Sequence, residues 1–200
     1  MRKPSRLIGL ASFGLFMAAS CAAYAQNIKV GVTIPLTGPA ASIGIGARNS
    51  ISMFPNKIAG IGVEYEVLDD AGDPTHAVKN TKRFLGENVD LIVGSSTSSA
   101  ALAMIEAIAG SETPMIAPGA SSRIVAPMDD KRHWVFKTAS NDSLVATAIT
   151  KHMQDDGVKT VGFIGFSDAF GESWLTEVKA AADAKKIKLI DVERFNSGDT

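Results

Sequence analysis

Short runs rich in Val and Ile alternate along this chain with longer Ala-rich stretches that carry spaced Lys, Glu and Asp. The short runs predict strands over 27–33, 62–68, 90–93, 114–117, 134–138, 159–165 and 187–195. The longer stretches predict helices over 40–53, 75–85, 100–109, 143–154 and 173–184. Punctuation supports these limits. Pro35, Gly38 and Pro39 end the first strand, Pro55 ends the first helix, and Pro74 stands at the mouth of the second. Gly44 and Gly46 weaken the first helix. Strand and helix alternate throughout, so the expected fold class is α/β with doubly wound parallel sheets. Asn196 to Thr200 reads as the opening of a loop.

The most informative stretch is Asp90 to Ala109. A short apolar strand runs into Gly94, then into five consecutive hydroxyl residues, Ser95 to Ser99, and then into a run of strong helix formers. A helix start carries unpaired N–H groups and a partial positive charge. Hydroxyl side chains add donors, and the combination suits a small anion such as a carboxylate. In open α/β sheets ligands sit beyond the carboxyl ends of strands, where this turn falls. Simple helix capping by one serine is the alternative. The next strand repeats the arrangement: 114–117 runs into Pro118-Gly119-Ala120-Ser121-Ser122.

Composition is that of a globular chain, 46% hydrophobic and 20% charged. The first residues change the picture. Arg2, Lys3 and Arg6 precede an apolar run, and Ala23-Tyr24-Ala25 is a small-x-small cleavage site. Residues 1–25 are therefore expected to be a secretory signal peptide, with Gln26 starting the exported chain. Without them the net charge shifts from −1 to −4, which argues against nucleic acid as a partner. The single cysteine, Cys21, lies inside this leader. Ala18-Ala19-Ser20-Cys21 also has some likeness to a lipoprotein processing box, which would leave Cys21 lipidated instead.

Four stretches, in this order and spacing, resemble the periplasmic solute-binding proteins of the branched-chain amino acid (leucine/isoleucine/valine-binding) type, which serve ABC importers. They are Val30-Gly31-Val32 with Leu36-Thr37-Gly38-Pro39; the acidic turn Asp69-Asp70-Ala71-Gly72-Asp73-Pro74; the hydroxyl stretch; and Ile116 to Ser122 followed by Phe136 to Asp142. The resemblance implies a type I periplasmic-binding-protein fold, with two α/β lobes joined by a multi-strand hinge and ligand in the cleft between them. It places an incomplete first lobe at 26–142 and the start of a second at 143–200, in a chain shorter than the family norm. It also implies a periplasmic location, a membrane ABC permease as partner and a small carboxylate as ligand. Its ligand-binding positions fall on Ser98 with Ser99 beside it, on Gly119 and Ser121, on Ile43 in place of an aromatic, and on Phe170 in place of a tyrosine. The last two make the cleft less polar, toward an apolar amino acid or an aromatic acid. A ligand-sensing receptor of the same fold is the alternative function.

Enzyme chemistry is not written in the sequence. Ser167 lacks the second glycine of a nucleophile elbow, and the phosphate-binding Gly-x-x-x-x-Gly-Lys-Ser/Thr pattern is missing. His76, His133 and His152 have no metal-ligand spacing, and no resident cofactor or metal is expected. Asp69, Asp70 and Asp73 read as a solvated turn that caps the following helix, since the oxygen spacing of a calcium loop is absent.

Overall fold

The computed structural model describes residues 27–199. The expected signal peptide, the Gln26 start and Cys21 lie outside the described residues. Two parallel sheets organise the chain. The first has six strands in the order β2-β3-β1-β4-β5-β6, formed by β1 (Ile28–Ile34), β2 (Lys57–Ile58), β3 (Ile61–Asp69), β4 (Leu91–Gly94), β5 (Met115–Ala117) and β6 (Val135–Lys137). All pairs are parallel except β2 with β3, an antiparallel edge that periodicity did not reveal. The second sheet pairs β7 (Thr160–Phe166) with β8 (Lys188–Phe195) in parallel.

Helices cover both faces of the first sheet, as its apolar strands demand. Helix α1 (Ala41–Ile51) packs on one face, where Val30, Val32, Ile34 and Val63 form a buried cluster against Ala47 and Ile51. Helices α2 (Pro74–Gly86) and α3 (Ser98–Ala109) pack on the other, around Phe84, Ile92, Met104, Ile105, Ile108 and Met115. Phe84 presses so closely on β1 that a Cβ at Gly31 would come within 2.5 Å of its ring. Helices α4 (Asp142–Asp155) and α5 (Ala169–Ala184) pack together beside the second sheet. Ile164 and Ile190 are exposed on that sheet.

Helix α5 begins at Ala169, well before the expected Ser173. Asp168 supplies the reason: its carboxylate accepts the N–H groups of Phe170 and Gly171, both at 2.9 Å, as an N-cap. Position 171 has to be glycine there, since a Cβ would collide with the Phe166 carbonyl.

The acidic turn corrects the sequence reading at one residue. Asp73 caps α2 by accepting the His76 N–H at 2.9 Å, as expected. Asp69 is exposed and accepts from the N–H groups of Leu36 (2.7 Å), Thr37 (3.2 Å) and Ala71 (2.8 Å) and from the Thr37 hydroxyl (2.5 Å). It ties the loop after β1 to the end of β3. Asp70, however, is fully buried instead of solvated, because it bonds the Thr33 hydroxyl (3.0 Å) and the Gly72 N–H (2.9 Å) beneath the loop.

The two carboxyls shift in opposite directions. Burial pushes Asp70 up, only partly offset by the Gly72 N–H and the Ser95 and Thr33 hydroxyls. At Asp69 a burial effect in the same direction is outweighed by the donors from Thr37, Ala71 and Leu36, so its carboxyl lies below the ordinary value of 3.8. The stability that Asp69 contributes is therefore present above that ordinary value and is lost as pH falls through its lower folded pKa. Asp70, ionised and buried, costs stability above its raised pKa, and the cost is relieved as pH falls. Asp69→Asn is expected to lower unfolding free energy at pH 7 and to lower it much less at pH 2, with urea denaturation as the measurement. An equal loss at both pH values would contradict this assignment.

Candidate functional site

The loops that leave the carboxyl ends of β1, β4, β5, β7 and β8 converge on one cleft of about 180 Å³. Pro39, Ala40 and Ile43 line it from the loop after β1 and the first turn of α1. Ser96, Thr97 and Ser98 come from the turn after β4, and Ala120 from the turn after β5. Phe166, Asp168, Phe170 and Ser197 close it from the second sheet. This is the position at which open α/β sheets hold ligands.

The hydroxyl turn is not spent on capping. Thr97 is the N-cap of α3 by backbone geometry, yet its side chain makes no cap hydrogen bond. Among the described residues, the buried polar side-chain atoms without a partner include Ser96 Oγ, Thr97 Oγ1 and Ser121 Oγ. Leaving a buried hydroxyl unpaired costs on the order of 1–3 kcal/mol, so such atoms are rarely left idle. Ser98 is 3% exposed, and its Oγ accepts the Ser121 N–H at 2.9 Å. That bond uses a lone pair and leaves the Ser98 proton to donate. Helix α3 adds its dipole, with no acid in its first turn.

The expected site residues are distributed as follows. Ser98, Ile43 and Phe170 line the cleft together. Ser121 is fully buried directly behind Ser98. Gly119 stands behind the wall, where a Cβ would come within 3.0 Å of the Ser96 carbonyl oxygen, so its smallness lets the two turns touch. Ser99 is half-buried on the first turn of α3 and is not a lining residue. Sequence reasoning did not single out Ser96 and Thr97 from the hydroxyl run, nor Phe166, Asp168 and Ser197, which reach the cleft only through tertiary packing. Among the described residues no group of three His, Cys, Asp or Glu side chains could hold a metal ion, and no helix is long and apolar enough to cross a membrane.

Gly44 holds the Ile43 wall in place. A Cβ there would collide with the backbone carbonyl of Pro35, which cannot rotate away. Gly44→Ala is expected to push α1 outward, to cost about 1–3 kcal/mol despite the better helix former, and to weaken ligand binding. Thermal melting together with calorimetric titration checks this, and unchanged melting and affinity would contradict it.

Two α/β sheets whose strand-end loops, hydroxyl turns among them, meet at one cleft define the class: an α/β fold with a ligand-sized cleft between its sheets. The chain belongs to the periplasmic binding protein family, whose model matches residues 27–200. It is 28% identical to Leu/Ile/Val-binding protein homolog 3 of Brucella melitensis over 97% of its own length and 54% of the relative's. It is 29% identical to the leucine-, isoleucine-, valine-, threonine-, and alanine-binding protein of Pseudomonas aeruginosa, over 98% of this chain and 53% of that one. The chain thus spans about half the length of the curated relatives it matches. The fold superposes with a TM-score of 0.84 on an extracellular ligand-binding receptor from Rhodopseudomonas palustris HaA2, at 38% identity, covering 87% of this chain and 48% of the other. The type I periplasmic-binding-protein fold read from the sequence is the fold observed, with its first part present.

Proposed function

We propose that this chain forms the ligand-capturing part of a periplasmic substrate-binding protein for an ABC importer. It binds without catalysis, takes up a small carboxylate between a first lobe at 26–142 and a second at 143–200, and presents it to a membrane permease. The ligand is a branched-chain or other apolar amino acid, or an aromatic acid. Ser98 donates to the carboxylate, with the first-turn N–H groups of α3 beside it. Ser121 supports Ser98 from behind, while Ile43 and Phe170 face the apolar body.

The observation that carries this reading is the pair of buried, unpartnered hydroxyls on the cleft wall beside Ser98, those of Ser96 and Thr97. Such donors gain nothing until an acceptor arrives. The relatives from Brucella and Pseudomonas, whose names specify leucine, isoleucine and valine, with threonine and alanine added in the second, support an amino-acid ligand. Isothermal titration of the full-length protein with L-leucine, L-valine, L-glutamate and benzoate tests it. Binding of an apolar member in preference to glutamate is expected. Binding of glutamate alone, or of uncharged analogues as tightly as the acids, would overturn it.

A further inference from the structure

We infer that Asp142 is a positioning residue, whose buried carboxylate clamps the turn after β5 to helix α5 beside the second sheet. It thereby fixes the two walls of the cleft relative to each other.

Asp142 opens α4, just after the chain has left β6. One oxygen, Oδ2, accepts from two directions: the Ser122 N–H at 3.0 Å and the Ser173 hydroxyl at 2.6 Å. The other, Oδ1, lies 3.9 Å from Lys137 Nζ, and that ammonium also donates to the Ser140 carbonyl at 3.1 Å. The backbone N–H of Asp142 donates to Ser122 Oγ at 2.8 Å, so Ser122 and Asp142 bond reciprocally. The Lys137 and Asp142 side chains are only 4% and 5% exposed. A buried carboxylate survives only when its oxygens are satisfied, and here each has a donor or cation.

The two partners on Oδ2 belong to opposite walls. Ser122 follows Ser121, whose N–H is bonded to Ser98 Oγ. Ser173 stands three residues after Phe170 on α5, one helical turn along the same face. A continuous path therefore runs from the Ser98 hydroxyl through the turn after β5 to Asp142, and on through Ser173 to the helix that carries Phe170. Helix α5 also touches α3 and packs on α4, and Asp142 adds a directional, charged contact to that packing. A shared, charged acceptor is the arrangement that holds α5 at one distance from the turn. The effect on affinity rests on the carboxylate-capture reading above; the effect on geometry does not.

The test uses the full-length protein with spin labels at Lys82→Cys on α2 and Lys179→Cys on α5, read by double electron–electron resonance without ligand. Ser173→Ala is expected to broaden the inter-label distance distribution, and Ser173→Thr, which keeps the hydroxyl, to restore it. With L-leucine or benzoate as titrant, Ser173→Ala is expected to bind roughly tenfold more weakly, because loosening the clamp lowers the share of molecules whose walls are in the binding arrangement to about a tenth. Asp142→Asn should broaden the distribution further. If that variant fails to fold, the serine pair decides. A Ser173→Ala distribution as narrow as the native one would overturn the proposal. Failure of the native protein to bind either titrant would sink the capture reading alone, because the label distances still report on the clamp.

Discussion

Ser98→Ala is expected to weaken binding of the carboxylate ligand by roughly 10- to 150-fold, the equivalent of about 1.5–3 kcal/mol for a hydrogen bond to a charged group. The magnitude follows from the role of one oxygen. Ser98 Oγ already accepts the Ser121 N–H at 2.9 Å, so it is held in place before ligand arrives and has its proton free. Truncation removes a preorganised donor from a site that is 3% exposed, where water cannot substitute cheaply. It also strands the Ser121 N–H, but that loss is present with and without ligand and so appears in stability more than in affinity. Ser98→Thr keeps the hydroxyl and should bind within a few-fold of native. The measurement is calorimetric titration of native, Ala and Thr forms of the full-length protein. An Ala variant with native affinity would return the hydroxyl turn to a purely structural role.

The largest loss of stability is expected at Phe84, which never touches the cleft. Its ring is fully buried between α2 and β1, in the cluster that also holds Ile92, Met104 and Met115. Emptying such a site costs about 3–5 kcal/mol, a large share of a total stability of about 5–15 kcal/mol. Gly31 cannot fill the space, because the strand backbone it belongs to is pinned on both sides by parallel pairing with β3 and β4. Phe84→Ala should therefore lower Tm by roughly 6–20 °C, and Phe84→Leu by less than half as much. Thermal unfolding followed by circular dichroism decides. A Tm within about 2 °C of native would mean that the core collapses around the missing ring.

Much of this fold is legible in the sequence because its strands are apolar runs bounded by Gly and Pro, and because helix α2 announces its start with the capping Asp73 followed by Pro74. The failures have physical causes. The edge strand Lys57–Ile58 is too short to show a period, and its partner Ile61–Asp69 supplies the pairing. The start of α5 was hidden because Gly171 ordinarily breaks a helix, whereas here a close approach to Phe166 requires it. Asp70 sits between two exposed acids and reads like them, yet Thr33 draws it beneath the loop. At the site, the hydroxyl run announced itself by composition. Which hydroxyls face the cleft depends on helical rotation at the start of α3, and the run alone does not fix that. Ser98 turns inward with Ser96 and Thr97, while Ser99 turns aside. Asp142 looked like a routine start to a helix, and only the packing of Ser122 and Ser173 on one oxygen gives it a second role.

The most direct measurement is a crystal structure of the full-length protein with the bound ligand identified by titration. A carboxylate oxygen is expected within hydrogen-bond distance of Ser98 Oγ and at the first-turn N–H groups of α3. The apolar body should lie against Ile43 and Phe170. A ligand seated elsewhere, with Ser96, Thr97 and Ser98 making no contact to it, would contradict the account.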